Sequence, residues 1–172
     1  TVRFSQASAS RMLQTVHIPK LIIAIVSAAY FLETASAPSH WRFLDGVDLI
    51  IHEAGHVILL PLGHFMHMIG GSLFQLLAPT AFVVHFHREE NRYSAALILF
   101  WVGQNFLNIS VYAGDAISMK LPLLGGADSI HDWNFLLITL GLLEYTPWVA
   151  GVLRATGTVA IISGAYQAIK YA

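Results

Sequence analysis

Residues 43–62 read FLDGVDLIIHEAGHVILLPL, an apolar stretch long enough for a helix that crosses a bilayer. Its centre contains the pattern H-E-x-x-H, formed by His52, Glu53 and His56. On a helix, positions four apart lie on the same face, so both imidazoles can reach one metal ion with the carboxylate beside them. The stretch therefore predicts a transmembrane helix that carries a metal centre, with Glu53 as the general base.

Four ionisable residues share one face of this predicted helix. They follow one another at spacings of 3, 4 and 4 residues and are Asp45, Asp48, His52 and His56. Ionisable groups at membrane depth are costly, and they normally face the protein interior or a water-filled cavity. The face is predicted to hold either a metal or a buried polar network, and the metal is favoured. In the metal interpretation Asp48, one turn before His52, orients an imidazole.

The composition of the whole chain also indicates a membrane protein. Of its 172 residues, 56% are hydrophobic and only 11% are charged, and the mean hydropathy is +0.63, whereas a soluble domain has about 25% charged residues. We expect one all-α, polytopic bundle over residues 1–172, surrounded by membrane lipid. A net charge of −1 gives no basis for nucleic-acid binding. The chain has no cysteine, so histidine, aspartate or glutamate must supply any metal ligands.

Five or six helices are predicted from the apolar runs and the residues that interrupt them. The second is expected to end or bend at Pro61, and His64 and His67 are expected in the short turn that follows. The fifth, with Asp132 as its cap, is too short to span a bilayer, since about 12 residues rise only about 18 Å. The predicted ranges are 18–35, 43–62, 72–86, 93–113, 133–144 and 147–168.

Three basic residues, Arg3, Arg11 and Lys20, precede the apolar run of the first predicted helix, residues 21–32. Residues 35–37, Ala-Ser-Ala, have the small-x-small form of a signal-peptide cleavage site, but Pro38 directly after them opposes cleavage. We therefore expect a retained signal-anchor helix. Since basic residues favour the cytoplasmic side, the N-terminus is predicted to lie inside, in the inner (cytoplasmic) membrane of a bacterium.

A catalytic zinc site takes three protein ligands and leaves a fourth position for water, so His52 and His56 need a further partner. Two candidates remain open, namely Asp115 at the end of the fourth predicted helix and His131 before the fifth. The fourth helix has its own polar stripe at spacings of 4, 4 and 3, formed by Gln104, Asn108, Tyr112 and Asp115. Such stripes leave unpaired polar groups if they face lipid. We predict that the second and fourth helices are neighbours, with the amide and phenol groups supporting the metal ligands.

Four further histidines allow an alternative interpretation, with a different kind of metal centre. His64 and His67 form H-x-x-H, and His85 and His87 form H-x-H. With the pair in the second helix they are similar to the histidine boxes of membrane di-iron desaturases and hydroxylases, which would imply iron rather than zinc. They also suit helix ends, where amphipathic side chains settle at the interface, and this interpretation is favoured.

The strings around these residues resemble those of two groups of proteins. Residues 44–144 resemble uncharacterised bacterial membrane proteins that share L-D-G, H-E-A-G-H, G-G-S-L-x-Q-L-L-x-P, G-Q, G-D-A and H-D-W. This resemblance places Gln104, Asp115 and His131 in one site with the histidine pair. More distantly, H-E-A-G-H within a helix resembles the site-2 protease class of intramembrane zinc metalloproteases. In that class the L-D-G aspartate comes from a later helix, whereas here Asp45 precedes the histidines.

Three functions remain open on this basis. The leading one is a zinc-dependent intramembrane hydrolase or peptidase. The second is a non-catalytic small subunit of a larger membrane complex, in which the histidines hold a structural metal, a haem or a pigment. The third is a histidine-box membrane oxidase with two iron ions.

Overall fold

The computed structural model describes residues 16–124, 126 and 129–172, and this part of the chain is an all-α bundle, as expected. Its six α-helices are α1 (Ile18–Ser36), α2 (Phe43–Leu59), α3 (His64–Arg88), α4 (Arg92–Gly114), α5 (Asp132–Thr139) and α6 (Thr146–Lys170). Two short 3-10 helices, Leu60–Leu62 and Leu143–Tyr145, follow α2 and precede α6. Arg3 and Arg11, on which part of the predicted orientation depends, lie outside the described residues.

In the described part of the chain, four helical stretches are long and apolar enough to cross a membrane, so the chain is an integral membrane protein. They are α1, α3, α4 and the stretch Leu143–Lys170 that includes α6. α2 has 17 residues and α5 has 8, and at 1.5 Å per residue they rise about 26 Å and about 12 Å, less than the hydrocarbon core of about 30 Å. The α-helix predicted over residues 43–62 is thus too long. It ends at Leu59 because Pro61 lacks the N–H that would continue it.

α4 lies at the centre of the bundle, between α1, α3 and α6. Phe100 of α4 is fully buried, and its ring stacks on Phe31 of α1 with the centroids 5.1 Å apart. Gly103 and Gly157 let α4 and α6 approach so closely that a Cβ at Gly103 would lie 2.7 Å from the carbonyl oxygen of Gly157. Apolar packing and small residues therefore hold this side of α4, as is common between membrane helices.

α2 and α3 form a hairpin whose closest approach joins Gly55 and Gly70, where a Cβ on either residue would overlap the backbone of the other. α3 begins at His64, directly after Gly63, whose φ is +98°. His64 and His67 consequently lie within α3, and the predicted turn before a helix start at residue 72 is wrong. The pair Gly70-Gly71, which precedes the predicted start at residue 72, lies within α3, and Gly70 contacts Gly55 of α2.

α5 begins one residue earlier and ends five residues earlier than predicted. Its N-cap residue is His131 and not Asp132, because Nδ1 of His131 accepts a hydrogen bond from the backbone N–H of Asn134. The chain turns after α5 at Gly141, whose φ of +68° lies in the left-handed region that favours glycine. Asp132 is left in the first turn of α5, with its side chain buried in the bundle.

Candidate metal centre

Three potential metal ligands converge between α2 and α5. Oδ2 of Asp132 lies 3.0 Å from Nε2 of His52 and 3.1 Å from Nε2 of His56. One ligand atom of each residue lies within 4.8 Å of the other two. His52 and Asp132 are buried and His56 is half-buried. Two imidazole nitrogens and one carboxylate oxygen form a donor set that can hold zinc and leave a fourth position open.

Helix spacing and a contact with α4 bring these residues together. His52 and His56 lie one turn apart on α2, with their ring centroids 4.8 Å apart. Asp132 lies in the first turn of α5, where its backbone N–H donates to the phenol oxygen of Tyr112 on α4 at 3.1 Å. Tyr112 also packs its ring against that of His52, with the centroids 5.8 Å apart. α4 therefore holds the start of α5 over the histidine pair.

His56 is oriented by the backbone of α3. Its Nδ1 lies 2.6 Å from the carbonyl oxygen of His67, and Nδ1 of His67 lies 3.0 Å from the carbonyl oxygen of His56. A carbonyl oxygen only accepts hydrogen bonds, so both Nδ1 atoms carry a proton and donate it. Nε2 of His56 is the nitrogen that faces Asp132.

His52 is oriented by side chains from α3 and α4. Its Nδ1 lies 2.9 Å from Oε1 of Gln75. Gln75 donates from Nε2 to Asn108 Oδ1 at 2.8 Å, and Asn108 donates from Nδ2 to Asp45 Oδ1 at 3.0 Å. Gln104 donates to the same oxygen of Asp45 at 2.7 Å. The prediction that the polar stripes of the second and fourth helices face each other is confirmed by these hydrogen bonds.

Asp48 does not orient His52, in contrast to the prediction. It is fully buried, and its Oδ1 accepts a hydrogen bond from Nε1 of Trp101 on α4 at 2.7 Å. Its Oδ2 has no hydrogen-bond partner within the described part of the chain. Gln75 has the position expected of Asp48, because Nδ1 of His52 points to α3 and not to the preceding turn of α2.

Asp115 and His131, the two residues predicted as the third ligand, form a separate pair. His131 Nε2 lies 3.5 Å from Asp115 Oδ2. Burial raises the pKa of Asp115, but hydrogen bonds from the Ser118 hydroxyl and two backbone N–H groups of the following loop outweigh it and lower this pKa. Burial lowers the pKa of His131, against the opposing effect of Asp115. The carboxylate that meets the two α2 histidines belongs to Asp132, the residue after His131.

A cavity of about 900 Å³ opens beside the three residues. Glu53 is exposed and lines this cavity together with His52, His56 and Asp132. Much of the remaining wall is apolar and includes Trp41, Leu49, Val57, Met68, Leu121, Leu124 and Ile130. Its described lining contains no lysine or arginine. The cavity therefore places a carboxylate and an apolar surface next to the candidate ligands.

The histidines of the di-iron interpretation are spread along α3. His67 lies beside the three-residue group, and the His64 ring packs edge-on against Phe135 with the centroids 4.5 Å apart. His85 and His87 lie in the last turn of α3. His85 follows His67 by 18 residues, which corresponds to about 27 Å along a helix. The H-x-H pair is therefore remote from the H-E-x-x-H pair.

Sequence reasoning missed Asp132 as a candidate ligand and Gln75 as a neighbour of His52. Asp132 stands at the start of a helix, where an aspartate typically acts as the cap. The ligand role was therefore predicted for the neighbouring His131. Gln75 is a lone amide in an apolar run. Its position in that run indicates a buried partner, because polar groups at membrane depth normally face one.

Comparison of the chain with protein-family models, with curated proteins and with solved structures gives no match. The function is therefore inferred from the chemistry of the site. Two histidines and an aspartate converge there, beside an exposed glutamate and an apolar cavity.

Proposed function

We propose that the chain is a zinc-dependent hydrolase that cleaves a peptide or another membrane-embedded substrate. His52, His56 and Asp132 would hold the zinc ion, and Glu53 would act as the general base. The supporting observation is that Asp132 Oδ2 lies 3.0 and 3.1 Å from the two Nε2 atoms. At a tetrahedral zinc with bonds of about 2.0–2.1 Å, neighbouring ligand atoms are about 3.3 Å apart. Two of the three separations between ligand atoms are therefore close to those around a bound zinc ion, and the third, between the two histidine nitrogens, lies within 4.8 Å.

The proton positions of the two histidines also support a cation at this point. Nδ1 of each ring faces an oxygen that only accepts hydrogen bonds, so Nε2 of each neutral ring has a free lone pair. Without a cation, the lone pairs of the two neutral rings face one carboxylate oxygen, unless a proton is added to a ring or to Asp132. The contact between these lone pairs and the carboxylate is unfavourable in a buried, weakly polar site. A divalent cation would bind all three atoms and remove the repulsion.

The chemistry would be hydrolysis of an amide or ester carbonyl. Zinc, when bound, would polarise the carbonyl and activate water for attack. Glu53 would accept a proton from the attacking water and give it to the leaving nitrogen or oxygen as the bond from the carbonyl carbon breaks. The apolar wall of the cavity would exclude bulk water and strengthen these interactions.

The lining of the cavity favours an uncharged, apolar substrate. Three carboxylates line it, those of Asp45, Glu53 and Asp132, and no lysine or arginine accompanies them in the described lining. An anionic lipid head group would therefore face three acidic groups without a lysine or arginine to bind it. The backbone of an apolar peptide segment presents a neutral carbonyl instead, which suits the proposed reaction.

The proposal agrees with the resemblance to the site-2 protease class that the H-E-A-G-H string indicates. In that class an aspartate from a later helix joins the two histidines. Asp132 comes from α5, later in the chain than α2, although it lies in H-D-W and not in L-D-G. Because the string differs, Asp132 is a ligand candidate only through its distances to His52 and His56.

We also propose that the chain lies in the inner membrane of a bacterium with its N-terminus inside. Four of the seven basic residues in the described part of the chain lie where α1 and α4 begin and α3 and α6 end, and they are Lys20, Arg88, Arg92 and Lys170. The Tyr93 hydroxyl donates to the carbonyl oxygen of Lys20 at 2.7 Å, which joins two of these helix ends. Basic residues favour the cytoplasmic side. The candidate ligands lie toward the opposite end, where α4 ends and α5 begins.

Metal analysis and turnover of the same variants test the hydrolase proposal. Wild-type protein should contain one zinc per chain, and His56→Ala should contain none. Glu53→Gln should retain zinc but lose cleavage of a fluorogenic transmembrane peptide in liposomes. His87→Ala, which changes an exposed histidine at the far end of α3, is the control and should match the wild type in both measurements.

Two results would contradict the hydrolase proposal: a wild-type protein without zinc, or a fully active Glu53→Gln variant. Haem absorbance, or stable co-purification with other chains, would favour the non-catalytic subunit. Stoichiometric iron that depends on His85 and His87 would favour the di-iron oxidase.

A further inference from the structure

We infer that Gln75 is a positioning residue that holds the proton of His52 on Nδ1 and so directs Nε2 toward Asp132. Asn108 and Asp45 in turn determine how Gln75 is oriented. This inference rests on the proposed metal site and extends it from three ligands to a network across α2, α3 and α4. The two ends of this network are buried, since Gln75 is 2% exposed and Asp45 is 5% exposed.

The network starts at the carboxylate of Asp45, which only accepts hydrogen bonds. Its Oδ2 accepts the backbone N–H of Arg42 at 2.6 Å, and its Oδ1 accepts the amide of Gln104 at 2.7 Å. Oδ1 also accepts the side chain of Asn108 at 3.0 Å. Asn108 must therefore turn its NH2 group toward Asp45 and its Oδ1 toward α3.

The orientation of Asn108 then decides the orientation of Gln75. Oδ1 of Asn108 only accepts, so Gln75 must present Nε2 to it, at 2.8 Å, and Oε1 to His52 Nδ1, at 2.9 Å. Oε1 also only accepts, and Nδ1 must therefore carry the proton. The two ends of an amide have nearly the same shape, so packing alone does not select this orientation. The series of hydrogen bonds that begins at Asp45 selects this orientation of Gln75.

The backbone of α3 keeps the ring of His52 in place for this contact. A Cβ at Gly71 would overlap the imidazole of His52, so the ring lies directly against the helix. His56 obtains the same proton position from the backbone carbonyl of His67, which a side-chain substitution does not remove. The proton position of His52 depends instead on the side chains of Gln75, Asn108 and Asp45, and substitution of any of them can change it.

Asn108→Leu and Asn105→Leu form a matched pair for the test. Both remove an amide from α4, but Asn105 lies outside the network and donates to the backbone carbonyl of Trp101 at 2.9 Å. In competition with a zinc chelator, Asn108→Leu should weaken zinc binding by about 10–100-fold, and Asn105→Leu by less than about 2-fold, because partners that orient a ligand have effects of this size.

The position of the proton gives a readout that does not depend on zinc. NMR of protein with 15N-labelled histidine should show a protected Nδ1–H of His52 with and without zinc, assigned by its loss in His52→Ala. Gln75→Met keeps the side-chain volume but removes the acceptor, so this protection should be lost. Gln75→Glu, as the protonated acid, would still accept from Nδ1 of His52 and donate to Oδ1 of Asn108, so the protection should be retained.

The outcomes separate the role of Gln75 from the proposed function. A wild-type protein that binds no zinc but shows the protected Nδ1–H would overturn the proposed function and support the proton position on His52. Full zinc affinity in both Asn108→Leu and Gln75→Met, or a His52 without a proton on Nδ1, would overturn the inference. If Asn108→Leu does not fold, the comparison of Gln75→Met with Gln75→Glu decides the matter by itself.

Discussion

The side of α4 that faces α1 and α6 differs from the side that faces α2 and α3. On the first side the buried contacts are apolar or involve glycine, such as Phe31 with Phe100 and Gly103 with Gly157. On the second side the contacts are hydrogen bonds between buried polar groups, such as Gln75 with Asn108. One helix thus belongs both to a packed apolar core and to a polar network.

The packed core and the proposed metal site therefore lie on different faces of the same helix. Apolar packing on the α6 side can support the buried polar groups on the α2 side, which are costly to desolvate. A change on the α6 side should lower the free energy of unfolding and leave the site intact. A change on the α2 side should weaken zinc binding and leave the bundle folded.

The largest effect is expected for the third ligand. Asp132→Ala should abolish stoichiometric zinc, because two histidines alone do not complete a zinc site. Asp115→Ala should retain zinc, since Asp115 bonds to its own loop and lies outside the three-residue group. Element analysis of both purified variants checks this. The opposite result, with zinc lost only in Asp115→Ala, would restore the ligand predicted from the sequence.

A smaller effect is expected where α3 touches His52. Gly71→Ala should displace the imidazole, because the added Cβ would overlap the ring, and zinc affinity should fall by at least about tenfold, as for other changes beside a metal ligand. Gly46→Ala on α2 is the control, since nothing lies within 4 Å of its Cβ position. Chelator competition measures both variants. Equal affinities would show that the ring has room to move, and α3 would then not hold His52 in place.

The α6 side should respond in free energy of unfolding and not in zinc affinity. In Gly103→Ala the new Cβ would lie 2.7 Å from the Gly157 carbonyl oxygen, and such overpacking typically costs about 1–3 kcal/mol. Gly151→Ala on α6 has open space around its Cβ position and should be neutral or stabilising. Reversible denaturation in micelles compares them. Loss of zinc from folded Gly103→Ala would mean that the two sides are not independent.

The smallest effect is expected at the partly exposed ion pair between Glu33 of α1 and Arg42, the N-cap residue of α2. Arg42 Nη2 lies 2.8 Å from Glu33 Oε2, and the Glu33 side chain is 56% exposed. Glu33→Gln should lower the free energy of unfolding by less than about 1 kcal/mol. The difference should shrink further at high salt, because screening weakens exposed pairs. A loss as large as that of Gly103→Ala would show that this pair contributes to the core.

Part of the site could be predicted from the sequence because it depends on local or general rules. His52 and His56 share a face through helix geometry alone. The meeting of Asp45 with Gln104 and Asn108 could be anticipated because buried polar stripes need partners.

Other features depend on tertiary contacts that the sequence does not reveal. Asp132 reaches the histidines through the path of the loop after α4, and local rules assign an aspartate at that place to a helix cap. The early start of α3 depends on the contact of Gly55 with Gly70, whereas a pair of glycines locally indicates an interruption.

X-ray absorption at the zinc edge tests the central assignment most directly, since it reports the ligands of the bound ion. Wild-type protein should show a four-coordinate zinc with nitrogen and oxygen neighbours at about 2.0–2.1 Å and the scattering of two imidazoles. In His52→Ala the signal of one imidazole should disappear together with tight binding. A zinc-free wild-type protein, or a bound zinc without imidazole scattering, would contradict the assignment of His52, His56 and Asp132 as a metal centre.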